Sequence, residues 1–284
     1  SIVDNVPNAL RVVDGSVVGA TQSGNRVEFQ GTLGGASPPG VSIAPGDSPG
    51  GGYLPLSAFG ITPISGMGDE TIVNFNVPAF TFAGQTYTRI GIVSDGYAVV
   101  GGGTGADVDF VNQHFPDPTQ PNNVLAPFWT DLNPTFGGTV RVGTLTDGSD
   151  TWIVIDWEGV REFSQPRTAS FEIWIGVDGD ANPAEDISYA YGTIQGNGDG
   201  GFLTVGVENA FGNRGQNVYA DGVGTLPSNG TQLRVSSTPA LPGAQKVITF
   251  SAKAQSKASV VNYVELISSA VAGTVSASFS INIK

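Results

Sequence analysis

The residues whose types and spacing speak most directly of chemistry lie in Val177-Asp-Gly-Asp-Ala-Asn-Pro-Ala-Glu-Asp186. Asp178, Asp180 and Asn182 recur at every second position, with Glu185 and Asp186 close behind. A tight loop with that spacing aims several oxygens at one hard cation. Without a cation the same carboxylates repel one another. Calcium held by Asp178, Asp180, Asn182 and Asp186 is therefore one reading. Two features weigh against it: Pro183 stands where such a loop needs its sharp-turn glycine, and no flanking helices are predicted. The competing reading is a polar hairpin loop between a strand at 171–177 and one at 187–191.

Other chemistry is more thinly supported. Asp156 and Glu158 share one strand face, and Asp131 follows the aromatic pair Phe128-Trp129. Two carboxylates on a β-sandwich can hydrolyse a glycosidic bond, although an exposed strand face also carries such charges as a matter of course. His114 is the only histidine, so a Ser–His–Asp site would need it. No Gly-x-Ser-x-Gly elbow accompanies it, and its neighbours Phe115 and Pro116 suit a loop. One imidazole and no cysteine exclude a zinc triad, Cys-ligated metals, disulfides and thiol nucleophiles. Gly101-Gly-Gly-Thr-Gly105 lacks the Lys-Ser/Thr and the helix of a phosphate loop and reads as a strand connection. Trp157 sits on the apolar side of its strand. Trp152 and Trp174 sit on the opposite sides of theirs, where they either pack or offer rings to a sugar.

The elements that must position these residues are strands. Apolar residues alternate in Trp152-Ile-Val-Ile-Asp-Trp157, placing Ile153, Ile155 and Trp157 on one face. Phe171, Ile173 and Ile175 share a face, as do Leu203, Val205 and Val207, then Leu233 and Val235. Arg26–Gln30, Thr71–Val77 (with one slip), Val247–Phe250, Val260–Leu266 and Val275–Ile283 also read as strands. Turn signals separate the runs: Ser94-Asp-Gly96, Thr146-Asp-Gly148, Asp178-Gly179, Asn197-Gly198 and Asp221-Gly222. The 41 glycines and 18 prolines, with only 13% charged residues, suit many short strands joined by tight turns. No amphipathic helix is evident. The expected fold is all-β: antiparallel sheets packed face to face as a β-sandwich or jelly roll.

Charge and proline content divide the 284 residues. Residues 1–237 hold eight basic and 24 acidic side chains; residues 238–284 hold four lysines and one acid. Pro239-Ala-Leu-Pro-Gly243 marks one boundary, and Ser37-Pro-Pro-Gly40 with Pro45–Gly52 marks another. Residues 1–49 and 238–284 are each too short for a comfortable core. They are expected to fold together, with 50–237 inserted between them. The net charge of −13 repels nucleic acid and anionic membrane surfaces and favours cations. No run of about 18 apolar residues is long enough to span a membrane. Ser1 opens directly into structured-looking sequence without a signal peptide, so a longer precursor is expected.

The chain resembles the C-terminal accessory region of secreted bacterial subtilisin-like (S8 family) serine proteases. The resemblance is carried by Pro55–Ile61, Asp69–Phe75, Tyr87–Tyr97, Pro121–Leu132, Phe202–Asn209 and Thr231–Val235. Within it, the middle looks like a nidogen-like β-sandwich module: a Ser-x-Gly-Tyr strand, then Pro-Asn-Asn-x-Leu-Ala-Pro-Phe-Trp-x-Asp-Leu, a Trp-bearing strand and Val-Gly-x-Glu-Asn. The flanks resemble Ig-like repeats of surface and secreted proteins, whose last strands read like 259–283. The resemblance implies a secreted, non-catalytic region that supports folding, stability or attachment to an extracellular protein or glycan surface, its own catalytic domain being a further partner. It supplies no catalytic residue, because the protease's nucleophile, histidine and aspartate segments have no counterpart here. Two other readings stay open: an independent carbohydrate-binding or adhesin-type module, and a carboxylate-based glycoside hydrolase.

Overall fold

A computed structural model describes residues 1–179, 187–268 and 274–284. The chain divides into two compact units, Ser1–Ser37 with Pro242–Lys284, and Pro38–Leu241. In chain order the first unit contributes β1 (Ile2–Asn5), β2 (Leu10–Val12), β3 (Thr21–Ser23) and β4 (Arg26–Phe29). The second unit follows with β5 (Gly40–Pro45), β6 (Ile72–Phe82), β7 (Gln85–Val93), β8 (Tyr97–Val100), β9 (Val124–Trp129), β10 (Thr139–Thr146) and β11 (Thr151–Arg161). It continues with β12 (Thr168–Gly176), β13 (Ile187–Ile194), β14 (Thr204–Glu208), β15 (Gly215–Ala220), β16 (Val223–Gly224) and β17 (Gln232–Thr238). The first unit then resumes with β18 (Ala252–Ala254), β19 (Ala258–Ile267) and β20 (Thr274–Ile283).

The first unit is one sheet of order β20-β19-β1-β4-β3 plus the β18-β2 pair. Its core is small: Val6, Val12 and Val27, backed by Leu10, Val17, Ala20, Ile248 and Phe250. The run Val247–Phe250, which alternates like a strand, forms only the isolated bridge Thr249↔Val18. The side chains of Ile248 and Phe250 reach the core, and the backbone of Val18 exchanges two hydrogen bonds with Thr249 without extending into a ladder.

The second unit is a sandwich of two antiparallel sheets. One has the order β10-β11-β12-β13-β17-β5, the other β16-β15-β14-β9-β8-β7-β6. Between them lie the faces that alternation picks out: Ile153, Ile155 and Trp157; Phe171, Ile173 and Ile175; Val205 and Val207; Leu233 and Val235. The buried indole of Trp157 donates to the Val93 carbonyl at 3.0 Å, satisfying its one polar group. The slip at Ile72-Val73 in the Thr71–Val77 pattern leaves the ladder intact, since β6 pairs with β7 in regular register from Ile72↔Val93 to Asn76↔Arg89; the bulge follows, between Asn76 and Phe80.

The seams fall at Ser37/Pro38 and Leu241/Pro242, away from the 49/50 and 237/238 cuts that composition suggests. The displaced piece is β5, which pairs with β17 from Gly40↔Thr238 to Pro45↔Leu233 as the last strand of its sheet. Prolines are tolerated on such an edge, so a Pro/Gly-rich stretch that looks like a linker completes the sandwich.

Both outer faces of the sandwich are also covered. Val93, Tyr97, Val99, Phe115, Val124, Ala126 and Trp129 cluster outside the larger sheet. Leu56, Val154, Trp174 and Ala190 cluster outside the smaller one. This is why Val124-Leu-Ala-Pro-Phe-Trp129 is buried at every position instead of alternating. Gly96 serves the packing: at φ +79, its absent Cβ would lie 2.0 Å from the Phe128 carbonyl oxygen.

Candidate functional site

The outer face of the smaller sheet is covered by residues 48–61, which run across β11, β12 and β13. The start is fixed by Gln232, whose side-chain oxygen accepts from the Ser48 N–H and hydroxyl, both at 2.7 Å. Tyr53 crosses Gly192, where a Cβ would meet its ring at 2.7 Å. Beneath this strap, Asp156 and Glu172 are cross-strand partners and neither exposes any surface. Asp156 accepts from the Tyr53 hydroxyl and the Leu56 N–H, both at 2.9 Å. Glu172 Oε2 accepts from the Leu54 N–H at 3.1 Å and the Trp174 indole at 3.0 Å; Oε1 is buried with no partner among the described residues. Glu158 accepts from the Ser57 hydroxyl at 2.7 Å and pairs with Arg141.

Burial pushes the Asp156 carboxyl up to about 7, the hydrogen bonds from Leu56 and Tyr53 offsetting part of the cost. Burial, and then the neighbouring Asp156, push Glu172 up to about 8. The same burial raises the Tyr53 hydroxyl. Asp156 and Glu158 do share a face, as alternation requires. However, Asp156 is sealed beneath the strap and its oxygens are committed to holding it. A glycosidase acid must instead reach its substrate. Trp174 is 2% exposed and meets the half-buried Trp152 edge-on at 6.0 Å, in the cluster that holds Leu54 and Leu56. These indoles pack the strap to the sheet.

His114 lies 2.7 Å from Asp221 Oδ2. Asp221 and Gly222, at φ 46 and φ 89, form the two-residue turn between β15 and β16 that the Asp-Gly pair predicts. Asp221 Oδ1 also accepts from Asn112 and the Leu203 N–H, both at 2.9 Å. Burial pulls Asp221 up, but these bonds and His114 outweigh it and hold the carboxyl below its usual range. The nearby Thr204 hydroxyl donates to the Gln113 carbonyl at 2.7 Å, so it is engaged. The pair fastens one loop to one turn. Gly101–Gly105 is likewise a connection, braced by Asn74 bonds to the Gly103 N–H and carbonyl.

An open site lies elsewhere, at a cleft of about 320 Å³ lined by Phe110, Val111, Asn112, Asp131, Asp199 and Phe202. Its walls are loops, and each is fixed. The 107–112 segment is held by Tyr97, whose hydroxyl donates to the Asp107 carbonyl at 2.9 Å, and by the Trp129 indole, which donates to the Asp109 carbonyl at 2.8 Å. Asn112 donates to Thr204 and Asp221. Asp199 Oδ1 accepts from the Ser164 N–H and hydroxyl, and its own N–H donates to Thr130. Asp131 accepts no side-chain hydrogen bond among the described residues. Burial, then Asp199, Asp69 and Glu70, raise its carboxyl to about 6. Phe202 is 63% exposed and Phe110 44%. Asp131 was visible in the sequence beside Phe128-Trp129. The other lining residues carry a weaker sequence signal, large aromatics in Asp/Gly-rich loops, as in Asn197–Phe202.

Of the four candidate calcium ligands, Asp178 is described: its carboxylate accepts from the Thr81 hydroxyl at 2.9 Å and its N–H donates to the Ala79 carbonyl at 2.7 Å. Asp180, Asn182 and Asp186 lie outside the described residues. Among the described residues, no group of three His, Asp or Glu side chains is arranged to hold a metal, and no helix is long and apolar enough to cross a membrane.

Comparison with protein-family models matches residues 49–252, more than half of the chain, to the family described as NIDO related. Searches of curated proteins and of solved structures each returned no match.

Proposed function

The chain belongs to the NIDO-related family, an extracellular type of β-module, and from that premise we propose that it is a non-catalytic accessory region of a secreted subtilisin-like protease. It supports the folding, stability or surface attachment of that enzyme. The observation that supports the non-catalytic part is the fate of the Asp156/Glu158 pair: Asp156 is sealed under the strap and bonded to it, and Glu158 is paired with Arg141 and Ser57. The acidic surface and the lack of cysteine are compatible with work outside a cell. In the same reading, calcium bound at 178–186 stabilises the module. A thermal melt with calcium and with chelator tests this, and equal melting temperatures remove it.

The protease association is tested in the culture fluid. An antibody against this chain should recognise a polypeptide that a fluorophosphonate serine-hydrolase probe labels. An antibody-positive polypeptide that never labels contradicts it. The non-catalytic part predicts a blank panel of aryl glycosides for the isolated chain, and turnover lost in Asp156→Asn overturns it. The open cleft favours a second reading, an independent extracellular binding module, which retains the same non-catalytic sandwich without a protease.

A further inference from the structure

We infer that the cleft between Phe110, Phe202, Asp131 and Asp199 receives the arginine side chain of a protein partner. This assignment goes beyond the question of whether a protease is attached. The volume of about 320 Å³ is at the small end for ligand sites, enough for one side chain and little more. Its lining pairs two carboxylates with apolar walls, Phe110, Val111 and Phe202, and includes no basic residue. A guanidinium suits that lining better than the alternatives. It is planar and weakly hydrated, stacks on aromatic faces, and presents paired donors to carboxylates, while its methylene stem covers apolar surface. A lysine ammonium is a strongly hydrated point charge and gains less from phenylalanine walls. A hard metal ion needs six or more oxygens, which phenylalanines do not provide. A neutral sugar leaves the charge of Asp131 uncompensated.

The carboxylate of Asp131 is half-buried and has no hydrogen-bond donor among the described residues, while the groups that act on it are acids: Asp199, Asp69 and Glu70, with Asp95 feeling Asp131 in turn. Asp95 sits behind, fully buried, its carboxyl raised by burial to about 8 and thus largely neutral. A bound cation relieves what the fold leaves uncompensated. The excess of acidic over basic residues in 1–237, 24 against eight, draws cations toward the module. The walls are already braced by Tyr97, Trp129 and Thr130, so binding orders little new structure.

The test is an NMR titration of the isotope-labelled chain with acetyl-Gly-Arg-Gly-amide, using the citrulline peptide as the uncharged isostere. The arginine peptide should shift the amides of Val111, Asn112 and Phe202, and the citrulline peptide should bind about tenfold more weakly or not at all. Asp131→Asn should weaken arginine binding by about tenfold, and Phe202→Ala should weaken it severalfold. Because a guanidinium stays charged throughout, affinity should fall by about tenfold from about pH 8 to about pH 5, as Asp131 takes up its proton. Unchanged melting curves for both variants establish that the loss is local. Equal binding of the citrulline peptide, shifts confined to other surfaces, or undiminished affinity in Asp131→Asn would each overturn the assignment. Calcium that produces the same shifts and blocks the peptide would overturn it in favour of a metal site.

Discussion

The two acidic pairs of the sandwich, Asp156 with Glu172 and Asp131 with Asp199, are built from the same chemistry and put to opposite uses. Both hold a carboxyl whose proton affinity is raised by burial. Under the strap, three of the four oxygens are spent on Tyr53, Leu54, Leu56 and Trp174, and the pair exposes nothing. At the cleft, Asp131 has no donor among the described residues, Asp199 is held through one oxygen, and both line an opening. A raised proton affinity therefore does not separate a functional carboxylate from a structural one. What separates them is whether the protein's own donors have already been used.

The largest effect that would break this comparison is on the strap. Leu56, fully buried between Val154 and Trp174, is the main apolar anchor. Leu56→Ala should cost about 3 kcal/mol in urea denaturation, and a cost within about 0.5 kcal/mol would mean that the strap is not part of the cooperative fold.

The next effect is on pH dependence. Asp156, Glu172, Asp95 and Glu208 have carboxyls raised by burial to about 7, 8, 8 and 7. An acid whose folded value lies above its unfolded value contributes stability that is present below about pH 4 and is lost as pH rises through the folded value. The melting temperature should therefore fall between about pH 5 and about pH 8, by a few kcal/mol of stability in all. The lowered carboxyls of Asp117 and Asp221 act with the opposite sign, but only in more acid solution. A melting temperature that rises across the same window contradicts the assignment.

Glu172→Gln sharpens the picture further. Glutamine keeps one acceptor for Leu54 and Trp174 and cannot ionise, so the variant should be about 1 kcal/mol more stable than the parent near pH 8 and equal to it near pH 5. Thermal melts at both pH values read this directly. The smallest effect is at the cleft: Phe202→Ala should change stability by less than about 0.5 kcal/mol, because an exposed ring contributes little to the core.

How much of this was legible in the chain depended on the range of the contact. Period-two faces are local, and Ile153, Ile155 and Trp157 lie in the core where alternation places them. Val247–Phe250 has the same local pattern but no ladder, because pairing is decided by a distant neighbour that the pattern does not encode. The Pro-flanked β5 reads as a linker for the same reason: its partner β17 is 198 residues away in the pairing Gly40↔Thr238. Alternation puts Asp156 and Glu158 on one face, where the structure has them, but the strap that seals Asp156 comes from Tyr53 and Leu56, about 100 residues earlier. The cleft was least legible, since Phe110, Asp131 and Phe202 are brought together from three separate loops.

The central claim, that one acidic pair is architecture and the other is left open, is tested most directly by paired urea denaturation of Asp156→Ala and Asp131→Ala near pH 7. The account predicts a loss of about 2–3 kcal/mol for Asp156→Ala, which leaves the Tyr53 hydroxyl and the Leu56 N–H unpaired, and a change within about 0.5 kcal/mol for Asp131→Ala. Equal losses, or the larger loss at Asp131, would contradict it.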